Sequence, residues 1–186
     1  HEGEGQLEVL RVGRPLVYYM GQEEHPDDYQ ILIDRFIKSL NISKEDGLLL
    51  VGHGGLGSGN SSYGNLQFKL IRDGLTNVRV AVLENAPYVA DVAMPWEWLD
   101  GKRPNTIHLH PLLLVLGDHA QNDLFGDEED SVVNELTEAG YEVNPINAGL
   151  GEYEVIQDIF RQHLQDCIDD LYGKRSPHRP AIPNIK

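Results

Sequence analysis

The sequence predicts an α/β fold, a three-layer sandwich built on a parallel sheet of four to five strands. Three observations predict it. Short, largely apolar runs recur, among them Leu48 to Val51 (LLLV), Val78 to Leu83 (VRVAVL) and the apolar heart of Thr106 to Leu116. Segments with apolar residues at helical spacing alternate with them. The runs are continuous rather than alternating with polar residues, which is the pattern of strands buried on both faces.

In chain order, residues 1–10 are polar and glycine-rich and read as an extension before the domain. Arg11 to Tyr19 (RVGRPLVYY) reads as a first strand. His25-Pro26-Asp27-Asp28 is a helix start with acids in its first turn. Ile31, Ile33, Phe36, Ile37 and Leu40 follow at helical spacing. Leu48 to Val51 is the second strand, and Gly54 to Asn65 a loop of Gly, Ser and Asn. Leu66 to Leu75 reads as a helix. After the third strand, Val78 to Leu83, Pro87 opens a helix running to about Leu99. Thr106 to Leu116 is the fourth strand. Asp127 to Ala139 is a helix with acids at its positive end, closed by Gly140. Tyr141 to Ile146 is a fifth, short strand. Glu152 to Tyr172 is a long amphipathic helix with Ile156, Ile159, Phe160, Leu164, Ile168 and Leu171 on one face. Residues 173–186, with three prolines, read as a flexible tail, so the domain is expected to span 11–172.

Composition removes several function classes. The 186 residues include 40% apolar side chains, enough for a core. A formal net charge of −15 opposes contact with nucleic-acid phosphates and with anionic membrane surfaces. No apolar run reaches membrane-spanning length. The single cysteine, Cys167, excludes an internal disulfide and a cysteine-based zinc cluster. A cytoplasmic location is expected, with periplasmic export left open because the chain begins at His1 rather than Met.

In open parallel sheets, ligands bind beyond the C-terminal ends of the strands. His53, Glu84 and His119 each follow an apolar run and are expected at that edge. Two imidazoles and a carboxylate suit divalent cobalt, iron, nickel or zinc, and three protein ligands leave positions open for exchange. The plainer reading is that each is a lone loop residue. The loop GGLGSGNSSYGN offers backbone N–H groups ahead of a helix for a phosphate or carboxylate; a flexible turn explains it as well. No P-loop lysine and no GxGxxG are present, and the His-Gly-Gly run has no G-x-S-x-G to give an esterase its nucleophile. His108 and His110 alternate on a strand and share a face; a histidine satisfied in a core or cleft is commoner than a ligand pair. The DEED run at 127–130 reads as a solvated helix start. His163 and Cys167 read as packing.

The run HLHPLLLVLGDHAQNDLFGDEEDS (108–131) resembles the signature of the anaerobic sirohydrochlorin cobaltochelatases, the CbiK type of class II tetrapyrrole chelatase. VGRPL, the VGHG turn, AVLEN-P and AGLGE at 148–152 add to the resemblance, which covers about residues 11–172 in order. It implies a chelatase-like (flavodoxin-like) half-domain, the C-terminal of two similar α/β halves that hold the tetrapyrrole between them. It implies an enzyme that inserts Co²⁺ into sirohydrochlorin with release of two protons in anaerobic cobalamin biosynthesis. Fe²⁺ or Ni²⁺ is the alternative metal. Ferrochelatase activity, or a non-catalytic tetrapyrrole, haem or metal-binding role, is the alternative function.

By the same resemblance His53, Glu84 and His119 bind the metal, and His53 or Glu84 accepts a pyrrole proton. Gly54, Gly55 and Arg14 are expected to meet the carboxylates of the macrocycle. His110, where the family commonly has methionine, is expected to add a ligand or alter metal choice. The N-terminal half has no counterpart here, so a missing half or a second copy of the chain is expected to complete the cleft.

Overall fold

The computed structural model describes residues 11–94, 96 and 102–172. Four strands form one all-parallel sheet in the order β2-β1-β3-β4: β1 (Gly47–Gly54), β2 (Val78–Glu84), β3 (Thr106–Pro111) and β4 (Glu142–Pro145). Around it lie the helices α1 (Asp28–Arg35), α2 (Ser61–Arg72), α3 (Val89–Val92), α4 (Asp118–Phe125), α5 (Val132–Glu138) and α6 (Glu154–Ile168). No helix among the described residues is long and apolar enough to cross a membrane.

The period-2 alternation of β1 divides the core. Leu48 and Leu50 face one side, with Val78 and Val80 of β2, and are covered by Leu32 and Ile33 of α1, Leu66 and Leu70 of α2, and Ile156 and Ile159 of α6. Leu49 and Val51 face the other side, with Ala81, Ile107 and Leu109. There they meet Val89 and Val92 of α3, Leu124 of α4, and Val132 and Leu136 of α5. Each fully buried Leu or Val contributes about 1.5–3 kcal/mol of transfer free energy. Both sheet faces need such cover, which is why the strands read as unbroken apolar runs. The second core also holds a buried cation: Arg79 donates to the Trp96 carbonyl at 2.9 Å and stacks on that indole at 4.7 Å.

Several elements differ from the expectation. Arg11 to Tyr19 forms no strand; an isolated bridge joins Met20 to Asp27, and among the described residues the sheet has four strands, within the expected four to five. Pro15 supplies no N–H to a ladder, and the Tyr19 N–H donates to the Asp28 carboxylate instead (3.0 Å). β3 stops at Pro111, so Leu112 to Leu116 continues as a loop that bends at Leu114 and Val115. The helix expected from Asp127 begins at Val132, where the Ser131 hydroxyl accepts from the Asn134 N–H; the DEED run precedes it. Helix α4 was not anticipated. α2 starts at Ser61, inside the expected loop. Of the helix expected from Pro87 to Leu99, the structure has α3, and Leu99 lies outside the described residues. The tail at 173–186 and the extension at 1–10 also lie outside them.

The AGLGE stretch fixes the loop after β3. Leu150 N–H donates to the Leu113 carbonyl (2.8 Å) and Gly151 N–H to that of Leu114 (2.9 Å). A Cβ on Gly149 or Gly151 would stand 3.0 or 2.9 Å from the Leu114 oxygen. Only glycine admits this approach, and the result is to hold Leu114 and Val115 outward, exposed.

A buried ion-pair network joins the N-terminal segment to α1 and α6. Arg14 donates from Nε to both oxygens of Asp28 (3.1 Å each) and from Nη1 to Asp166 (2.6 Å). His163 of α6 stands 3.5 Å from Asp28. Burial alone would raise the Asp28 pKa; His163, the Tyr19 N–H and Arg14 outweigh it and hold the carboxyl below its ordinary 3.8.

Candidate metal and macrocycle site

The strand order places a topological switch at β1 and β3. The chain leaves β1 through α2 on one face and leaves β3 through α4 and α5 on the other. The crevice between such strands, at their C-terminal ends, is where open α/β sheets bind ligands.

His53 is the penultimate residue of β1 and Glu84 the last of β2. The register pairs Gly54 with Glu84, so the two chemical groups rise side by side. His53 Nδ1 lies 4.0 Å from Glu84 Oε2, and both side chains are 60% exposed. Gly54 makes this approach feasible. Its φ is +86°, and a Cβ there would sit 2.1 Å from the Glu84 carbonyl oxygen. The GHG turn is therefore a steric requirement of bringing β1 and β2 together at the metal-capable pair.

His119 is the second residue of α4, exposed, in the first turn after the β3 loop rather than on a loop. Among the described residues no three His, Cys, Asp or Glu side chains stand close enough together to hold one ion. The structure thus unites two of the three expected ligands and leaves His119 apart from them.

Two other expected contacts have different surroundings. Arg14 is engaged by Asp28 and Asp166, with its side chain 10% exposed. Its Nε and Nη1 donors face the carboxylates of Asp28 and Asp166. His110 is fully buried. Its Nδ1 donates to the Pro111 carbonyl (2.7 Å), and its Nε2 accepts from the Tyr153 hydroxyl (2.9 Å). Burial pushes the imidazole pKa down, offset in part by the Pro111 carbonyl, so the ring is held neutral with both nitrogens engaged. His108 meets Asp46 at 3.1 Å, at the opposite, N-terminal end of the sheet.

The glycine-rich loop is more ordered than a flexible turn. Gly57–Asn60 makes a 3₁₀ turn, and the Ser61 and Ser62 hydroxyls donate to the Ser58 and Gly59 carbonyls (2.7 and 3.1 Å). Gly55 lends its carbonyl to the Asn85 amide (3.1 Å). Leu56, Tyr88, Leu114 and Val115 are exposed on the loops that follow β1, β2 and β3. Exposed apolar side chains on these loops suit a ligand with an apolar face. The periodicity of the sequence assigned Leu114 and Val115 to a buried strand; the glycines of AGLGE were the signal that another backbone lies against that run.

A family model described as cobalt chelatase (CbiK) matches residues 3–169. The chain belongs to that family. It is 28% identical over 160 residues to a sirohydrochlorin cobaltochelatase of Salmonella typhimurium, an alignment covering 86% of this chain and 57% of that protein. It is also 28% identical over 127 residues to the sirohydrochlorin cobaltochelatase CbiKC of Nitratidesulfovibrio vulgaris, covering 68% of this chain and 44% of that one. The chain spans about half the length of these curated relatives. The α/β fold with its parallel sheet agrees with the expectation for a chelatase-like domain.

Proposed function

We propose that this chain is the metal-handling part of a sirohydrochlorin cobaltochelatase, an enzyme of the lyase class serving cobalamin biosynthesis. The observation that carries the reading is the exposed His53–Glu84 pair, 4.0 Å apart at the C-terminal edge of the sheet, in a chain of the cobalt chelatase family. The names of two relatives point to the same reaction. Co²⁺ is a substrate here, delivered into the macrocycle.

Insertion requires that the ion lose water and that two pyrrole nitrogens lose protons. An imidazole and a carboxylate at a partly open edge can replace some of the hydration shell while leaving one side of the ion free. The macrocycle approaches that free side, resting on Leu56, Leu114 and Val115. His119, at the start of α4, joins as third ligand when ring and ion are in place. As the nitrogens take the metal, His53 and Glu84 are released from it, and the two pyrrole protons pass to one or the other of them in turn. Both are exposed, so each proton passes on to water.

The carboxylates of the substrate meet a chain of net charge −15. With Arg14 engaged elsewhere, the cations that receive them come from a second α/β half or a second copy of the chain across the cleft. Backbone N–H groups near Gly54 and Gly55 contribute locally.

The test is anaerobic insertion of Co²⁺ into sirohydrochlorin by the full chain, followed by visible absorption against the spontaneous rate. His53→Ala, Glu84→Gln and His119→Ala are expected to lose most of the enzymatic rate. Undiminished insertion by His53→Ala and His119→Ala would sink the mechanism.

A further inference from the structure

The loop after β1 and the loop after β2 are cross-linked by two asparagine side chains that no strand or helix requires. Asn60 Nδ2 donates to the carbonyl of Glu84 (3.2 Å) and to that of Ala86 (2.9 Å). In the other direction, Asn85 Nδ2 donates to the carbonyl of Gly55 (3.1 Å). One amide reaches from the His53 side to the Glu84 side; the other reaches back.

Neither side chain serves its own helix or turn. Asn60 ends the 3₁₀ turn and leads into α2 with helical angles (φ −74°, ψ −7°), not the extended backbone from which an asparagine caps a first-turn N–H. It makes no such bond; its amide points away from its own helix, at the neighbouring loop. Asn85 holds φ = +66°, a left-handed conformation that asparagine tolerates better than other side chains but that still carries strain. That conformation turns the chain sharply after Glu84 and aims the amide at Gly55. The left-handed backbone at Asn85 and the outward amide of Asn60 serve the same inter-loop contact.

We propose that Asn60 and Asn85 are positioning residues that fix the distance between His53 and Glu84. Neither touches the ion. They fasten the backbones that carry the two ligands, immediately beyond Gly54 and Glu84, where the β1–β2 ladder ends. With metal–ligand bonds of about 2.0–2.2 Å, neighbouring ligands of a tetrahedral ion stand about 3.3–3.6 Å apart, so the 4.0 Å between Nδ1 and Oε2 is already at the outer edge of what one ion can bridge. Splaying the loops by even 1 Å would leave one ligand out of reach. The inference rests on the metal site proposed above.

The experiment is a Co²⁺ titration of the full chain read by its visible d–d bands. Asn60→Ala and Asn85→Gly remove the amides; glycine keeps the left-handed backbone at residue 85, so strain does not confound the result. His53→Ala is the control, and thermal melts check folding. Each asparagine variant is expected to weaken Co²⁺ binding about 10- to 100-fold, the range for groups that orient metal ligands. It should also alter the band shape at saturating metal, which a merely structural role would not do. Parent-like affinity and bands in both variants, with His53→Ala defective, overturn the positioning inference alone. Parent-like binding by His53→Ala, or no saturable binding by the parent, overturns the metal site and the inference with it. Should Asn60→Ala unfold, Asn85→Gly decides.

Discussion

Replacing Arg14 with methionine separates two roles for that residue by magnitude. In the structure its guanidinium serves two carboxylates, Asp28 at 3.1 Å and Asp166 at 2.6 Å, and the Asp28 side chain is wholly buried. Methionine fills similar volume but leaves both charges without their main partner. Removing one member of a buried ion pair costs about 3–5 kcal/mol, chiefly because the other charge stays desolvated. Here the lower part of that range applies. Asp28 keeps the Tyr19 N–H (3.0 Å) and His163 (3.5 Å), and Asp166 keeps the Gln162 amide (2.8 Å). A loss of about 3 kcal/mol corresponds to about 6–12 °C in Tm for a domain of this size.

The pH dependence adds a second readout. Asp28 is held below 3.8 in the folded protein, so its stabilising contribution is complete above 3.8 and disappears as pH falls through the depressed value. The gap between parent and Arg14→Met is therefore widest near neutrality. It should narrow in acid, where protons neutralise the stranded carboxylates. Thermal and urea melts from pH 7 to pH 3 measure both effects. A variant within about 0.5 kcal/mol of the parent, the range of an ordinary surface change, would refute the reasoning. If such a variant also bound the macrocycle less tightly, Arg14 would be a ligand contact.

Three further results are expected. His110→Phe removes the hydrogen bond to Tyr153 and strands that hydroxyl, costing about 1–3 kcal/mol in urea melts. Because burial depresses the His110 pKa, its neutral form contributes stability that is complete above about 6.5 and is lost as pH falls below it; the parent's stability should decline there, and less so in His110→Phe. Gly54→Ala places a methyl group 2.1 Å from the Glu84 carbonyl at a φ of +86°. It should cost about 1–3 kcal/mol in melts and abolish Co²⁺ binding by displacing His53 from Glu84; unchanged titration would contradict the steric role assigned to the GHG turn. Gly151→Val should lower Tm and leave the Co²⁺ titration near that of the parent, since it disturbs the loop after β3 and not the pair.

What the sequence disclosed follows from which forces act locally. LLLV and VRVAVL are buried on both faces, so hydrophobicity alone marks them as strands. His53 and Glu84 were legible because a glycine or a polar residue after such a run must lie at the sheet's C-terminal edge. Arg11 to Tyr19 has the apolar content of a strand, but its N–H at Tyr19 and its guanidinium at Arg14 are claimed by Asp28, a partner set by tertiary contact. Leu114 and Val115 defeat periodicity for a related reason: a second backbone at Leu150 and Gly151 bonds the Leu113 and Leu114 carbonyls and leaves the side chains of Leu114 and Val115 outside. Helix α4 lacks the apolar stripe that would announce it, with Leu124 its one buried residue. Nothing local in Asn60 or Asn85 could reveal a bond between loops 24 to 30 residues apart in sequence.

The contacts of Arg11 have a consequence for chain entropy. Its guanidinium donates to the carbonyls of Cys167 and Ile168, at sequence separations of 156 and 157 residues. Tyr19 likewise donates to the Tyr172 carbonyl across 153. The two ends of the folded domain are thus brought within one side chain of each other, and the path through the sheet is nearly a closed ring. Joining those ends covalently would restrict the unfolded ensemble and ask almost no movement of the folded one. For a loop of that length the loss of loop-closure entropy amounts to about 5 kcal/mol in favour of the native state, a reserve of stability that the fold holds ready for any circularised form of the chain.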